Sequence, residues 1–380
     1  MQSKPRHTFD PKRNKDFFPT LRKRVNQYFK DNKLSKYSTR ETKLKAVLMF
    51  GAYLIPFGLI LSGMFTSAGA IILLYILMGL GKAGIGLNIM HDSNHGTFFK
   101  KKKWNNLMQL SMNAIGGSDI AWQYQHNFLH HSYTNITGSD MDIETTVLMR
   151  NSPLQKWRSF HRFQHIYSWL LYGLGTFSRV LFRDFKLLPM ARKEGFIKTG
   201  EEYRKEMTKL IISKMLYFSA MLLLPALLLP VSFGVIFLAF FAMHFVTGFI
   251  LSLIFVCAHV MPSSDFIAHE EDGKVNENWA VHQMRTTTNF AQHRKIFSWF
   301  IGGLNYQVEH HLFPNMSHAH YRPISKIVKE TADEFGVPYH THPSFLGAVA
   351  QHGKMLYKFS KKSTAGEMRG AEPMITNPAL

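Results

Sequence analysis

The stretch that decides the fold is Ala46–Gly81, AVLMFGAYLIPFGLILSGMFTSAGAIILLYILMGLG, which holds no Asp, Glu, Lys or Arg. A second uncharged tract runs from Met215 to Ser264. A helix that crosses a bilayer needs roughly 20 apolar residues, so each tract is long enough for two spans joined by a tight turn. The spacing predicts spans over about 46–66 and 69–90, with Gly63, Ser67 and Gly69 near the first turn, and over about 213–232 and 235–258. The expected fold is all-α and integral to the membrane: four spans in two hairpins, carrying a helical cap.

The flanks orient these hairpins. The chain has 380 residues and carries 45 Lys+Arg against 25 Asp+Glu, a net charge of +20. Residues 1–45 are basic, with Lys12, Arg13, Arg22, Lys23 and Arg24 among many, and read as a solvated or headgroup-facing arm. An excess of Lys and Arg marks the cytoplasmic side, so both termini and the cap are expected there. A polar start argues against a cleavable signal peptide. A single cysteine, Cys257, rules out an internal disulfide or a cysteine-based metal site. The excess of positive charge occurs beside four apolar spans, which argues for lipid contact and against a nucleic-acid partner.

Outside the tracts the chain is polar or mixed. Residues 46–350 read as one membrane domain and 351–380 as a polar tail. Phe163–Ser178 lacks charges but is short for a span, so it reads as an amphipathic helix in the interface. Lys82, late in the second span, is expected near its cytoplasmic end. Gly79, Gly81 and Gly84 match a dinucleotide-binding pattern by chance, since no strand precedes them.

Histidine, present 20 times, supplies the chemistry. Gln125–Asn135, QHNFLHHSYTN, holds His126, His130 and His131; on an α-helix 126 and 130 share a face. His91 and His95 in HDSNH repeat that spacing, and His310 and His311 follow Gln307 in QVEHH. His259 ends the fourth span. An even number of spans separates the clusters, so all fall on one membrane face. Eight imidazoles and one amide suit two metal ions, and imidazole accepts iron, copper or zinc. Asp92, Asn127, Asn135, Asp140 and Glu309 adjoin these residues and could orient the rings. Asn289 is expected to support the last cluster, with His293 a weaker candidate. His244 stands about 22 Å from His259 along a straight helix and reads as structural. His161, His165, His269, His282, His318, His320, His340, His342 and His352 read as surface or interfacial.

HDSNH, HNFLHH and QVEHH resemble, in order and spacing, the three histidine boxes of the membrane fatty acid desaturases. The flanks TTTN (286–289) and GGLNYQVEHHLFP (302–314) fit as well. Gln307, where other desaturases carry His, resembles the front-end (delta-6/delta-5-like) branch. The resemblance implies two iron ions held by His91, His95, His126, His130, His131, His259, Gln307, His310 and His311. It implies O₂ as co-substrate and a cis double bond placed between an existing one and the carboxyl end of a fatty acyl chain. No catalytic side chain apart from the metal ligands is implied. The substrate would be an acyl-CoA or acyl-lipid. Many front-end members carry a haem motif HPGG, whereas here His342-Pro343 precedes Ser344-Phe345, so a separate electron donor such as cytochrome b5 or ferredoxin is expected. The same scaffold could instead hydroxylate. A metal transporter would need polar residues along the span interiors, which offer only Lys82 and His244.

Overall fold

The structure, a computed structural model, describes residues 7–144, 146–268 and 273–362. Helix α1 is Phe17–Asp31. Helices α2 (Arg40–Leu61) and α3 (Ala68–Asn94) form the first hairpin. Residues 119–133 form a continuous rod, α4. Residues 164–193 form a longer one, α5. Helices α6 (Gly200–Leu228) and α7 (Phe233–His259) form the second hairpin. The cap adds α8 (Trp279–Thr286), α9 (Gln307–Leu312), α10 (Tyr321–Glu334) and α11 (Phe345–Ser360). Two short parallel ladders tie it together: Thr8–Phe9 with Lys274–Val275, and Thr288–Phe290 with His340–His342.

Four helices are long and apolar enough to cross a membrane, at the expected places but with shifted ends. The first starts at Arg40, because Thr39 caps it by accepting from the Thr42 amide. It stops at Leu61, where Gly63 turns with positive φ. The second begins after a Ser67 cap and runs beyond 90 to Asn94, which lifts His91 above the apolar segment. The third starts thirteen residues earlier than expected, at Gly200 after a Thr199 cap.

Helix α3 is the axis of the bundle. Ile71, Tyr75 and Met78 on it are fully buried. The outer helices leave Leu48, Leu54 and Ile55 on α2, and Ile212, Met215 and Leu227 on α6, exposed as a lipid-facing surface. The glycines set aside as a chance motif have a packing role. A Cβ on Gly79 would meet the Met243 carbonyl at 2.8 Å, and one on Gly81 would meet the Ala52 backbone at 2.6 Å. Small residues let the backbones of α2, α3 and α7 approach this closely.

Three expectations need correction. The basic arm is built into the cap: Phe17, Leu21 and Val25 form one face of α1 and pack with Ile324, Val328 and Ala332 of α10. The boundary at 351 falls inside α11, whose Met355, Leu356 and Phe359 are buried; residues beyond 362, like His269, lie outside the described residues. The segment Phe163–Ser178 is the first half of α5, not a separate helix, and it packs on α7. There the Gly248 Cα approaches the Gly173 carbonyl so closely that a Cβ would stand 2.5 Å from it.

Candidate metal centre

The histidines reach one place because four elements end there. His91 and His95 sit on the last turn of α3, where the His95 amide bonds the His91 carbonyl at 3.1 Å. Just before them, Ile85–Met90 widens into a turn with i→i+5 geometry, and a second such turn spans Gln123–His130. The second changes the expected spacing. An α-helix would pair His126 with His130. The wider turn also brings His131 under His126, with their Nε2 atoms 3.2 Å apart, while His130 stays stacked on His126 at 5.2 Å between centroids and faces His259 and His311 as well. His259 ends α7, and His310 and His311 lie on the short helix α9.

Two groups result. Ring nitrogens of His91, His95, His126 and His310 lie within 4.8 Å of one another, and so do those of His130, His259 and His311. His131 joins them, forming a third group with His310 and His311. Eight imidazoles brought together in this way would be unfavourable as mere core, since each buried nitrogen needs a partner. Yet His95 Nε2, His130 Nε2, His131 Nδ1, His310 Nε2, His311 Nε2 and both nitrogens of His259 are buried without one. These orphaned lone pairs are what bound cations would satisfy. The residues therefore fit a metal centre.

Four of the rings are held by the opposite nitrogen. His130 Nδ1–H donates to Asp140 Oδ2 and His126 Nδ1–H to Asp142 Oδ2, both at 2.9 Å. His311 Nδ1–H donates to Gln283 Oε1 at 2.8 Å, and His310 Nδ1–H to the Tyr321 hydroxyl at 3.0 Å. Each bond fixes the tautomer that leaves Nε2 free to bind a cation. Burial lowers the pKa of His126 to about 4, and burial with neighbouring imidazoles holds His95, His131, His310 and His311 well below the ordinary value. These rings are neutral at neutral pH, as metal binding requires. Burial also opposes a charge on His130, but the Asp140 carboxylate outweighs it and raises that pKa.

The supporting residues expected from sequence divide. Asp140 holds His130 and accepts from the Asn135 amide; Asn135 in turn donates to the His259 carbonyl at 2.9 Å. Asp92 lies 4.0 Å from His91 Nδ1, but its closer partners are Ser317 and His318. Asn127 donates to the Asn94 carbonyl beside His95. Asn289 accepts from the Val308 amide and donates to Glu309, fixing the start of α9. Glu309 is a correction: its carboxylate turns to Asn289 and Tyr339, and bonds no imidazole among the described residues. Gln307 is buried on α9, one turn ahead of His310 and His311. His318, expected at the surface, is buried and bonded to Asp92, and His161, His282, His320 and His352 are buried as well. Asp142, Gln283 and Tyr321 were missed. Only Asp142 left a signal, two residues after Asp140.

A cavity of about 480 Å³ adjoins the centre. Met90, Trp122 and Phe255 form its wall there. The Trp122 ring packs on His126 at 4.4 Å, and Phe255 on His259 at 4.8 Å. Its lining combines exposed Leu148, Gly175, Ser178 and Lys186 with buried Gly116, Gly117 and Lys82.

A four-span helical protein with a cluster of imidazoles that fits a metal centre beside an apolar cavity belongs with membrane enzymes that act on long apolar substrates. Comparison with known proteins makes the class specific. The family described as fatty acid desaturase matches residues 21–343. The chain is 34% identical over 91% of its length to an acyl-lipid (8-3)-desaturase of Physcomitrium patens, covering 72% of that protein. It is 32% identical over 91% of its length to an sn-1 linoleoyl-lipid 6-desaturase of Synechocystis, covering 96% of it. It is 31% identical over 90% of its length to delta(5) fatty acid desaturase A of Dictyostelium discoideum, covering 75%. The chain belongs to the fatty acid desaturase family, and its reaction class is the oxidation of an acyl chain to form a double bond.

Proposed function

We propose that this protein inserts a cis double bond into a lipid-bound acyl chain, between an existing double bond and the carboxyl end. The observation that carries the reading is the convergence of eight imidazoles, six of them buried and several with unpartnered nitrogens, beside an apolar cavity whose wall residues Trp122 and Phe255 pack on His126 and His259. The relatives' names, which specify acyl-lipid and 6- or 8-3-desaturases, favour a lipid carrier and front-end chemistry.

His91, His95, His126 and His310 would hold one iron, and His130, His259 and His311 the other, with His131 grouped with His310 and His311 and with Gln307, one turn ahead of them on α9, as the remaining candidate ligand. When bound, the irons with O₂ supply the oxidising power to remove hydrogen from an unactivated methylene. The chain's own residues do the rest. Asp140, Asp142, Gln283 and Tyr321 keep the imidazoles aimed inwards. Met90, Trp122 and Phe255 give the cavity an apolar wall beside the centre, which suits an acyl chain and excludes water. Lys186, exposed on the cavity lining, suits a phosphate headgroup. A second, polar opening lined by His95, Lys100 and Lys102 suits an acidic electron donor arriving from the cytoplasmic side.

The test is expression in a host fed with defined fatty acids, with double bonds located by mass spectrometry. New cis bonds on the carboxyl side of existing ones, lost in His130→Ala, are expected. A hydroxylated chain without a new double bond would overturn the reading. So would freshly purified active protein that contains zinc or copper and no iron.

A further inference from the structure

The cavity beside the metal centre reaches the surface along α5. Leu148, Gly175, Ser178, Phe182 and Lys186 all line it and are all exposed. Phe182 is 60% exposed and Leu148 45%, more than an inner wall allows, so these residues stand at a rim. Four of them recur along α5 at intervals of three and four residues, which is one helix face. Other polar residues of the lining have partners of their own. Lys82, expected at a span end within reach of water, is buried and bonded to the Tyr217 hydroxyl and the His244 ring. Arg179 is held by Gln125 and Asp184, and Arg183 by the Met141 carbonyl. Lys186 is left as the exposed cation of the lining.

The rim lies at the depth of lipid tails. The Thr176 hydroxyl, next to Gly175, donates to the His244 carbonyl at 2.8 Å. His244 is near the middle of α7, a helix long and apolar enough to cross the membrane. Around the rim α5 exposes Ile166, Leu170 and Phe182, and no charged residue occurs from Phe163 to Ser178. Hydrocarbon suits such a surface and water does not. Further along α5 the surroundings change. Leu187 and Leu188 pack with Ala121 and Tyr124 of α4, the rod that carries His126, so Lys186 lies on the cap side. The rim also carries a glycine that packing does not require. A Cβ on Gly175 would meet only the hydroxyl of Ser252, itself a lining residue, at 3.5 Å, an ordinary contact. One on Gly173 would strike the Phe245 ring. Glycine inside a helix is destabilising relative to alanine, so Gly175 is retained at a cost that helix contact does not explain.

We propose that the acyl chain of a bilayer phospholipid enters the cavity sideways, through a mouth bounded by Leu148, Gly175, Ser178 and Phe182, while its phosphate stays at Lys186; this rests on the desaturase reading above. The chain leaves hydrocarbon on one side and meets Leu251, Ser252 and Phe255 of α7 on the other, so it passes from lipid to cavity without crossing water. Gly175 and Ser178 keep the threshold low, because a longer side chain there would stand in the passage. Lys186 offers the phosphate a positive charge at the rim. A soluble thioester of coenzyme A arrives from water, and an entrance between lipid tails does not suit it. The position of the mouth therefore selects the lipid-bound chain.

Gly175→Phe tests this, with Ile166→Trp as the control for added bulk on an exposed part of α5 outside the lining. The proteins are placed, with a reduced electron donor, in vesicles of phosphatidylcholine carrying linoleoyl chains. At normal iron content Gly175→Phe is expected to convert the phospholipid-bound chain about tenfold more slowly, and Ile166→Trp at the wild-type rate. Undiminished conversion in Gly175→Phe, or an equal loss in both variants, overturns the proposal. So does a wild type that desaturates acyl-CoA in detergent and leaves the vesicle phospholipid untouched. A second measurement is independent of turnover. Phosphatidylcholine with a photoactivated diazirine in one acyl chain is expected to label Ser252 and Phe255 in the wild type, and to lose that label in Gly175→Phe while labelling of Leu227 on α6 is unchanged. Label confined to outward-facing residues of the wild type overturns the proposal even if desaturation is observed. A protein that makes no double bond yet is labelled at Ser252 and Phe255 fails the functional reading alone.

Discussion

Asp142 shows how little of the centre depends on the histidines by themselves. It accepts from His126 Nδ1–H at 2.9 Å and from the Gln125 amide, which Arg179 holds in turn at 2.7 Å. Asp142→Asn is therefore expected to lower iron affinity by about 10–100-fold, read as iron retained after dialysis against a chelator, while the protein still enters the membrane. Glu309→Gln gives the contrast. Glu309 is buried and its pKa is pushed up to about 7 by desolvation, but its partners are Asn289 and Tyr339. One mismatched donor would cost roughly 1–3 kcal/mol of stability and leave iron binding within about tenfold. Equal losses of iron in both variants would refute this division of roles. Sequence proximity had ranked them the other way. It marks which residues are near in the chain, whereas Gln283 and Tyr321 come from helices that meet α9 only after folding.

The length of the two uncharged tracts made the four spans legible as elements, because such a tract has few other uses; their ends, set by caps such as Thr39 and Thr199, were not. The wide turns at Ile85–Met90 and Gln123–His130 were not legible: nothing in residue type separates i→i+4 from i→i+5 hydrogen bonding. Those turns decide which imidazoles meet. The glycines were visible but misread, since their use depends on a partner backbone. Gly81→Val would place side-chain atoms where the Ala52 backbone already stands, 2.6 Å from the Cβ. It is expected to push α2 from α3 and lower stability by about 1–3 kcal/mol, the usual cost of overpacking. Gly58 on the same hairpin faces open space, so Gly58→Ala is expected to be neutral or slightly stabilising. Equal thermal midpoints in detergent for Gly81→Val and wild type would show that the close approach carries no weight.

At the scale of the whole molecule, buried histidines also fasten the cap to the spans. His352 on α11 donates from Nδ1 to the Val260 carbonyl at the end of α7 and accepts from the Tyr172 hydroxyl of α5 at 2.6 Å. His282 on α8 donates to the Thr134 carbonyl, just past α4, at 2.8 Å. Burial lowers the pKa of each to about 4, from an ordinary 6.5. The folded protein then binds fewer protons than the unfolded chain between those values. Stability is full above pH 6.5, falls as pH drops towards 4, and levels off below it. Each ring contributes on the order of 3 kcal/mol to that fall, and protonation would break the Tyr172 bond outright, since a charged imidazole has no acceptor. The metal-free protein is therefore expected to show a thermal midpoint that drops steeply from pH 7 to pH 5. His352→Gln is expected to be less stable at pH 7 and to show a shallower drop. Removing the metal first matters, because protons competing for the iron-binding imidazoles would otherwise produce the same trend. An apoprotein whose midpoint is flat from pH 7 to pH 5 would mean that these rings are hydrated when the protein is folded, and that the cap is held by α1, α10 and the two strand ladders instead.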